Sequence, residues 1–474
     1  MHLLADVPRS VGRQKLDHQV VIGKDILELL SNAMYVDPLC IYREYIQNAT
    51  DAIDEARVAG LYAKGAPPRI DIALDRQQRS IKIRDNGIAV APNVFARRLT
   101  ALGASKKRGS GARGFRGVGR LGGLAYCQKL IFRSKVKSFP RVWEIHWDCV
   151  RLKALLRDHT YDGDLHDIMS EIVGFDTVPA EGFPAHFFEV ELQAVNRIKN
   201  DLLLNESLVE AYLAQVAPVP FSDDFSYGPA ITEYLERFGA GQTYDLFLND
   251  RCARSVRPFR DEFSAKQKLE DRFNDITYFD VPGIEGELDA IGWVLHHSYF
   301  GALPERAGIR GLRLRAGNMQ IGDEALFDSA FPESRFNGWS VGEVHLISKR
   351  IVPNGRRDDI EYSAHQQNLL KHVMPIAKQI TKLSRRRSAE RQKLQSEKGK
   401  GPGDHAVAEA TLTPKQLTIV RKLHNRERQA VLDCVSLVTQ AVSRKDTAKA
   451  VITAVLKHIS TRRKTAKNIP RARS

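Results

Sequence analysis

The amino-acid sequence predicts an α+β protein, and three observations carry that prediction. A stretch with helical periodicity, IYREYIQNATDAI from Ile41 to Ile53, is followed by two short alternating segments, RIDIALD and SIKIRDNG. The polar turn RQQR joins the two segments, so they read as a β-hairpin. From about Ser222 the texture changes to repeated short strands with helices between them, among them YDLFLND, DITYFDV, GELDAIGWVLHHSY and VGEVHLI. With 474 residues there is material for roughly two or three domains, because single cores rarely grow much beyond about 250 residues.

At the front, VVIGKDILELLSNAM (Val20 to Met34) sets apolar residues at helical spacing, and Asp37-Pro38 breaks the chain before the next helix. Within that next helix Glu44, Asn48 and Asp51 fall at i, i+4 and i+7, so a carboxylate, an amide and a second carboxylate share one face. Ile46, Ala49 and Ile53 form a separate apolar stripe that would hold the helix against a core while the polar row looks into a pocket. The helix should stop near Gly60, before the loop KGAPP.

The second hairpin strand ends on Asp85, Asn86 and Gly87. A carboxylate there can accept hydrogen bonds from a ligand's exocyclic amine, and the glycine lets the backbone come close to that ligand; a plain Asn-Gly turn is the alternative. Next comes ALGASKKRGSGARGFRGVGRLGGLAYC, in which Gly114, Gly117 and Gly119 form a GxxGxG pattern and a helix is expected from Val118 towards Tyr126. Backbone N–H groups of such a loop can cradle phosphate oxygens, with lysine or arginine as countercharge. A dinucleotide-binding βαβ unit is excluded by context, since no strand leads into the glycines in the required order, and no GxxxxGK[ST] loop is present.

Composition sets the outer bounds. The hydrophobic share of 43% and charged share of 27% are those of a soluble globular protein, and no apolar run approaches the roughly 20 residues of a membrane span. The opening MHLLADVPRSVGRQK lacks the apolar run of a secretory signal, so a cytoplasmic protein without a membrane partner is expected. Cys40, Cys127, Cys149, Cys252 and Cys434 are scattered with no CxxC pair, which argues for free thiols and against zinc or a disulfide framework. Lysine and arginine number 72 against 57 acidic residues, a net charge of +15, with much of the excess in KLSRRRSAERQK and TRRKTAKNIPRARS. Either a solubilising tail or a nucleic-acid contact follows from that placement. His296-His297 reads as a strand feature, not a metal site, because no further ligand keeps spacing with it.

The order of helix with Glu/Asn/Asp, strand ending in Asp-x-Gly, and glycine-rich loop resembles the Bergerat-fold ATP-binding domain of the GHKL group, which includes gyrase, heat-shock protein ninety, histidine kinases and MutL. IYREYIQNATDAIDEAR is most similar to the heat-shock protein ninety and MutL form of the first motif, ExxxNAxDA. The resemblance implies an α/β sandwich over roughly the first 200 residues, with ATP and Mg²⁺ as ligands. It implies that Glu44 is the general base that orients the attacking water, that Asn48 ligates Mg²⁺ through its amide oxygen, and that Asp51 supports the pocket. Asp85 would bind the adenine amino group and Gly87 would let the base lie close. The loop from Gly114 through Gly117 and Val118 to Gly119 would wrap the triphosphate as part of a lid, with Lys106 as a phosphate contact. The second motif reads DNGIA where the group often has DxGxG, so Ala89 stands at the later glycine. The strand HFFEVEL offers no threonine for the adenine. IVPNGRRDDIE resembles the segment that carries the catalytic arginine in the heat-shock group, which makes Arg357 the first candidate and Arg356 the next.

The expected organisation is an ATP-binding domain over 1–221, an α+β middle domain over 222–362, a helical extension over 363–398, a linker over 399–412, a helical region over 413–460 and a basic tail over 461–474. The last helical region is suited to dimerisation or partner docking. The resemblance implies a slow Mg²⁺-dependent ATPase that works by lid closure and domain rearrangement on a protein client. A nucleic-acid-associated ATPase of the MutL, MORC or topoisomerase type, and a nucleotide-gated scaffold with little turnover, are the alternatives.

Overall fold

The computed structural model describes residues 37–62, 67–101, 119–251, 254–265, 269–398 and 412–421, with a few helical positions beyond. The expected helix at Val20–Met34, most of the linker and the basic tail lie outside the described residues. The chain divides into two compact units, Met1–Ser384 and Arg385–Ser474.

In the first unit α1 (Cys40–Val58) leads into β1 (Ile70–Asp75) and β2 (Ser80–Asp85), then α2 (Pro92–Thr100) and a 3₁₀ turn at Gly119–Ala125. Next come β3 (Lys129–Lys135), β4 (Arg141–Asp148), α3 (Cys149–Arg157), α4 (Leu165–Ile172), β5 (Val173–Pro179), β6 (Phe187–Gln193), α5 (Glu206–Val216) and α6 (Gly228–Arg237). They are followed by β7 (Leu246–Leu248), β8 (Glu262–Ser264), β9 (Glu270–Arg272), β10 (Asp275–Pro282), β11 (Leu288–His296), β12 (Gly311–Ala316), β13 (Met319–Ile321), β14 (Val341–Leu346) and α7 (Ala364–Lys398), which begins in this unit. The α+β class predicted from sequence is the class observed.

The first sheet has seven strands in the order β5-β4-β3-β6-β2-β1-β7. The expected hairpin is present, with β1 antiparallel to β2 and Ile72 opposite Ile83. Strand periodicity sorts the two faces. One row runs Ile72, Ile83, Val190, Phe132, Ile145 across neighbouring strands and enters the core, where residues of α1 to α5 cover it to form an α/β sandwich. The adjacent row, on the other face, runs Arg84, Glu189, Arg133, Glu144. There Arg133 is 2.7 Å from Glu144 and 2.8 Å from Glu189, and Arg84 is 2.6 Å from Glu189, so opposite charges alternate across the strands. YDLFLND, the first of the short strands expected in the second half, supplies β7, which joins this first sheet parallel to β1.

The second sheet has five strands in the order β10-β11-β14-β12-β13. Its β11 is buried on both faces: Ala290 and Val294 pack with α7 residues Leu369, Val373 and Ile380, while Ile291, Trp293 and Leu295 pack with Ile231 and Leu235 of α6. A buried charged cluster ties this sheet to the end of α5. Glu343 on β14 accepts from Arg257 at 2.6 Å and from Arg315 at 2.5 Å. The same arginines donate to backbone carbonyls of Val219 at 3.0 Å and Gln215 at 2.7 Å. Asn318 donates to Gln242 O at 2.8 Å.

In the second unit, α8 (Pro414–Arg421) contributes Val420 to an apolar cluster with Leu412, Val431, Leu432, Val435 and Ile452.

Candidate nucleotide site on the first helix

α1 is buried nearly all round, which explains why its polar residues need a purpose other than solubility. Ile46, Ala49 and Ile53 enter the core as expected, and Gly60, with φ +70°, ends the helix in the left-handed region that glycine tolerates. On the polar face Glu44 and Asp51 are buried and Asn48 is half-buried.

Asp85 is the last residue of β2, and its carboxylate accepts the Gly87 N–H at 2.9 Å. The strand end is pressed against the middle of α1: Ile88 N–H donates to Ala52 O at 2.8 Å. A Cβ on Gly87 would lie 2.5 Å from the Ala52 carbonyl carbon and 2.6 Å from Ile53 N. The glycine therefore serves a helix–strand contact as well as leaving room beside Asp85. His186 pairs through Nε2 with Gly87 O at 2.9 Å, and Ser134 Oγ accepts the Val90 N–H at 2.9 Å, so β3 and the residue before β6 fix the segment that contains Ala89.

Glu44 is met from two other parts of the chain. Arg357 Nε stands 3.3 Å from Glu44 Oε1, with both side chains about 10% exposed. A Cβ on Gly119 would overlap the Glu44 carboxylate. Arg357 has φ +57°, and its backbone is held in that conformation from several sides. Its N–H donates to Asn354 O at 3.2 Å, its carbonyl accepts from Gly322 N at 2.8 Å, and Arg43 donates to the carbonyls of Arg356 at 2.9 Å and Arg357 at 3.4 Å. The side chain of Arg356 pairs instead with Asp358 at 3.0 Å, half exposed.

The structure thus brings Glu44, Gly119 and Arg357 together, and sets Asp85 and Gly87 against the α1 turn next to Asp51. Lys106, Gly114, Gly117 and Val118 lie outside the described residues. The α-helix expected from Val118 towards Tyr126 is instead the 3₁₀ turn Gly119–Ala125. Three glycines in GRLGGLA weaken an α-helix there, and the Gly123 N–H is taken by the Tyr45 hydroxyl at 2.9 Å. Sequence reasoning gave no role to Arg43, Tyr45, Ser134 or His186. The available signal for the first two was position: residues flanking Glu44 emerge about 100° to either side of it on a helix and can reach what borders it.

Among the described residues no group of three or more His, Cys, Asp or Glu side chains is gathered to hold a metal. Glu44 Oε1 is buried, and its partner there is Arg357 Nε at 3.3 Å. His297 pairs with Asp271 at 2.9 Å and not with a ligand cluster. Cys40, Cys127 and Cys149 are buried free thiols and Cys434 an exposed one; Cys252 lies outside the described residues. No described helix is long and apolar enough to cross a membrane.

No protein-family model matches the chain. Curated proteins do. A stretch is 26% identical over 152 residues to the chaperone protein HtpG of Polaromonas naphthalenivorans, covering 28% of this chain and 24% of that protein. An endoplasmin homolog of Leishmania donovani is 30% identical over 133 residues, covering 26% of this chain and 17% of that one. The HtpG of Methylibium petroleiphilum is 31% identical over 118 residues, covering 24% and 18%. The chain therefore matches about a quarter or less of the length of these relatives, and the similarity concerns about a quarter of the chain itself.

Proposed function

We propose that this protein binds ATP with Mg²⁺ on α1 and hydrolyses it slowly, as a GHKL-type ATPase of the heat-shock protein ninety kind that acts on protein clients. The observation that supports this reading best is the convergence of Glu44, Gly119 and Arg357 on one point of α1 from distant parts of the sequence. Partial similarity to proteins named chaperone HtpG and endoplasmin points the same way.

In this reading Asp85 accepts from the adenine amino group, with Asp51 supporting the pocket from the neighbouring helix turn. Asn48 offers its amide oxygen to Mg²⁺, which when bound would neutralise phosphate charge. Glu44 holds a water in line with the γ-phosphate, where orientation contributes as much as proton removal because a glutamate is a weak base. Arg357 now faces Glu44, and the γ-phosphate offers it a stronger partner. Its transfer from carboxylate to phosphate would free Glu44 for water and stabilise transition-state charge. That exchange, with closure of the glycine-rich loop that includes Lys106, Gly114, Gly117 and Val118, is the rearrangement nucleotide would drive.

Calorimetry with MgATP tests the site. Asp85→Asn should abolish binding, while Glu44→Ala should keep binding and stop hydrolysis. Equal affinity in wild type and Asp85→Asn would overturn the assignment. The net charge of +15 favours a second reading, a nucleic-acid-associated ATPase. Stimulation of turnover by an unfolded client supports the first reading. Stimulation by DNA, with binding that falls steeply as salt rises, supports the second.

A further inference from the structure

The geometry points to Tyr45 as a positioning residue for the Glu44 carboxylate, acting through the backbone of residues 119–123. The inference rests on the ATP-hydrolysis reading of α1. Tyr45 is buried at 2% exposure, one residue after Glu44, so its ring leaves the helix beside the carboxylate and not along the same line. Its hydroxyl is used on both sides: it accepts the Gly123 N–H at 2.9 Å and donates to Arg120 O at 3.1 Å. One O–H donor and the oxygen's lone pairs satisfy both contacts at once.

The fit is specific on the glycine side as well. A Cβ on Gly123 would lie 2.5 Å from the Tyr45 hydroxyl oxygen, so the phenol reaches this backbone only because position 123 is bare. Three residues of GRLGGLA are glycine, which leaves the segment little conformational preference of its own and lets its place be set from outside. Arg120 fixes the same stretch from the other direction, its guanidinium donating to the carbonyls of Leu99 and Ala101. At the front of this stretch stands Gly119, the residue whose bare Cα borders the Glu44 carboxylate. Glu44 and the surface that borders it are thus referenced to the same helix, one through its own backbone and the other through the neighbouring phenol.

Tyr45→Phe keeps the ring and the core volume and removes both hydrogen bonds. In the 474-residue chain it should speed amide exchange over residues 119–126 while leaving exchange in β1 and β2 unchanged. It should lower kcat for MgATP by about tenfold to a hundredfold, the scale on which small misplacements act. The ATP dissociation constant should stay within about twofold, because the adenine contact at Asp85 is untouched. Gly123→Ala attacks the same contact from its other partner and should reproduce the split between kcat and affinity, with the double variant no worse than either alone. Unchanged exchange and turnover in Tyr45→Phe overturn the role, as does a parallel loss of binding and melting temperature, which would mark Tyr45 as a packing residue. No turnover in the wild type would overturn the ATPase reading and the positioning role together. Exchange in residues 119–126 then shows separately whether the anchor exists.

Discussion

At the residue scale, two glycines have steric duties that can be separated from ligand binding. Gly87→Ala drives a methyl group into the Ala52 carbonyl carbon and Ile53 N, backbone atoms that cannot turn aside. Overpacking of this kind costs about 1–3 kcal/mol, and thermal denaturation should show a melting temperature lowered by several degrees. Gly119→Ala meets a side chain instead, and the Glu44 carboxylate can swing away. Stability should therefore hold while ATP turnover falls, a contrast that equal melting-temperature losses in the two variants would contradict. Arg357 offers a third case. Its φ of +57° strains any residue with a Cβ by roughly 1–2 kcal/mol. Arg357→Gly should thus melt no lower than Arg357→Ala, while both lose turnover by about a hundredfold or more if the guanidinium stabilises the transition state.

At the scale of elements, α1 and the hairpin were legible because their signals are local. Helical spacing gave the span from Ile41 to Gly60, and alternation with the turn RQQR gave β1 and β2 with the observed pairing. The burial of β12 on both faces was not legible. GLRLRA alternates leucine with arginine, which reads as a half-exposed surface segment, yet Arg313 and Arg315 are both buried. Their partners Gln215, Gln320 and Glu343 lie far off in sequence or on other strands, and no local pattern announces them. The same limit applies at the site: Glu44 could be picked out by motif, but the carbonyls of Arg356 and Arg357 that Arg43 holds carry no sequence signal. Glu343→Gln should test the buried cluster. Removing one charge leaves two arginines short of their counterion, and a loss of about 3–5 kcal/mol in denaturant unfolding is expected. A loss below 1 kcal/mol, about the worth of a surface pair, would mean the arginines are already compensated elsewhere.

For the molecule as a whole, that cluster sets a pH dependence. Burial pushes the His345 imidazole below its usual range, despite the neighbouring Glu343. Burial alone would raise Glu343, but Arg257 and Arg315 hold it well below the usual carboxylate range. In both cases the unfolded chain binds protons more readily than the folded one. Their contributions are therefore complete above the unfolded values and decline as pH falls, beginning near about 6.5 for His345 and near about 4.3 for Glu343. Melting temperature should drop on acidification across this window, and less steeply between pH 6.5 and 5 in His345→Gln.

β7 extends these arguments to how the protein can be cut. A fragment ending at residue 221 would contain α1, the hairpin and the Gly119 segment, and would lack only the Arg357 segment among the motifs. It would also lack Leu246–Leu248, leaving the outer edge of β1 bare from Ile70 to Ile72. Bare strand edges recruit other chains. Such a fragment should precipitate or self-associate on sizing columns where 1–384 remains monodisperse, so the shortest piece able to be assayed for nucleotide must carry sequence that the motifs never mention.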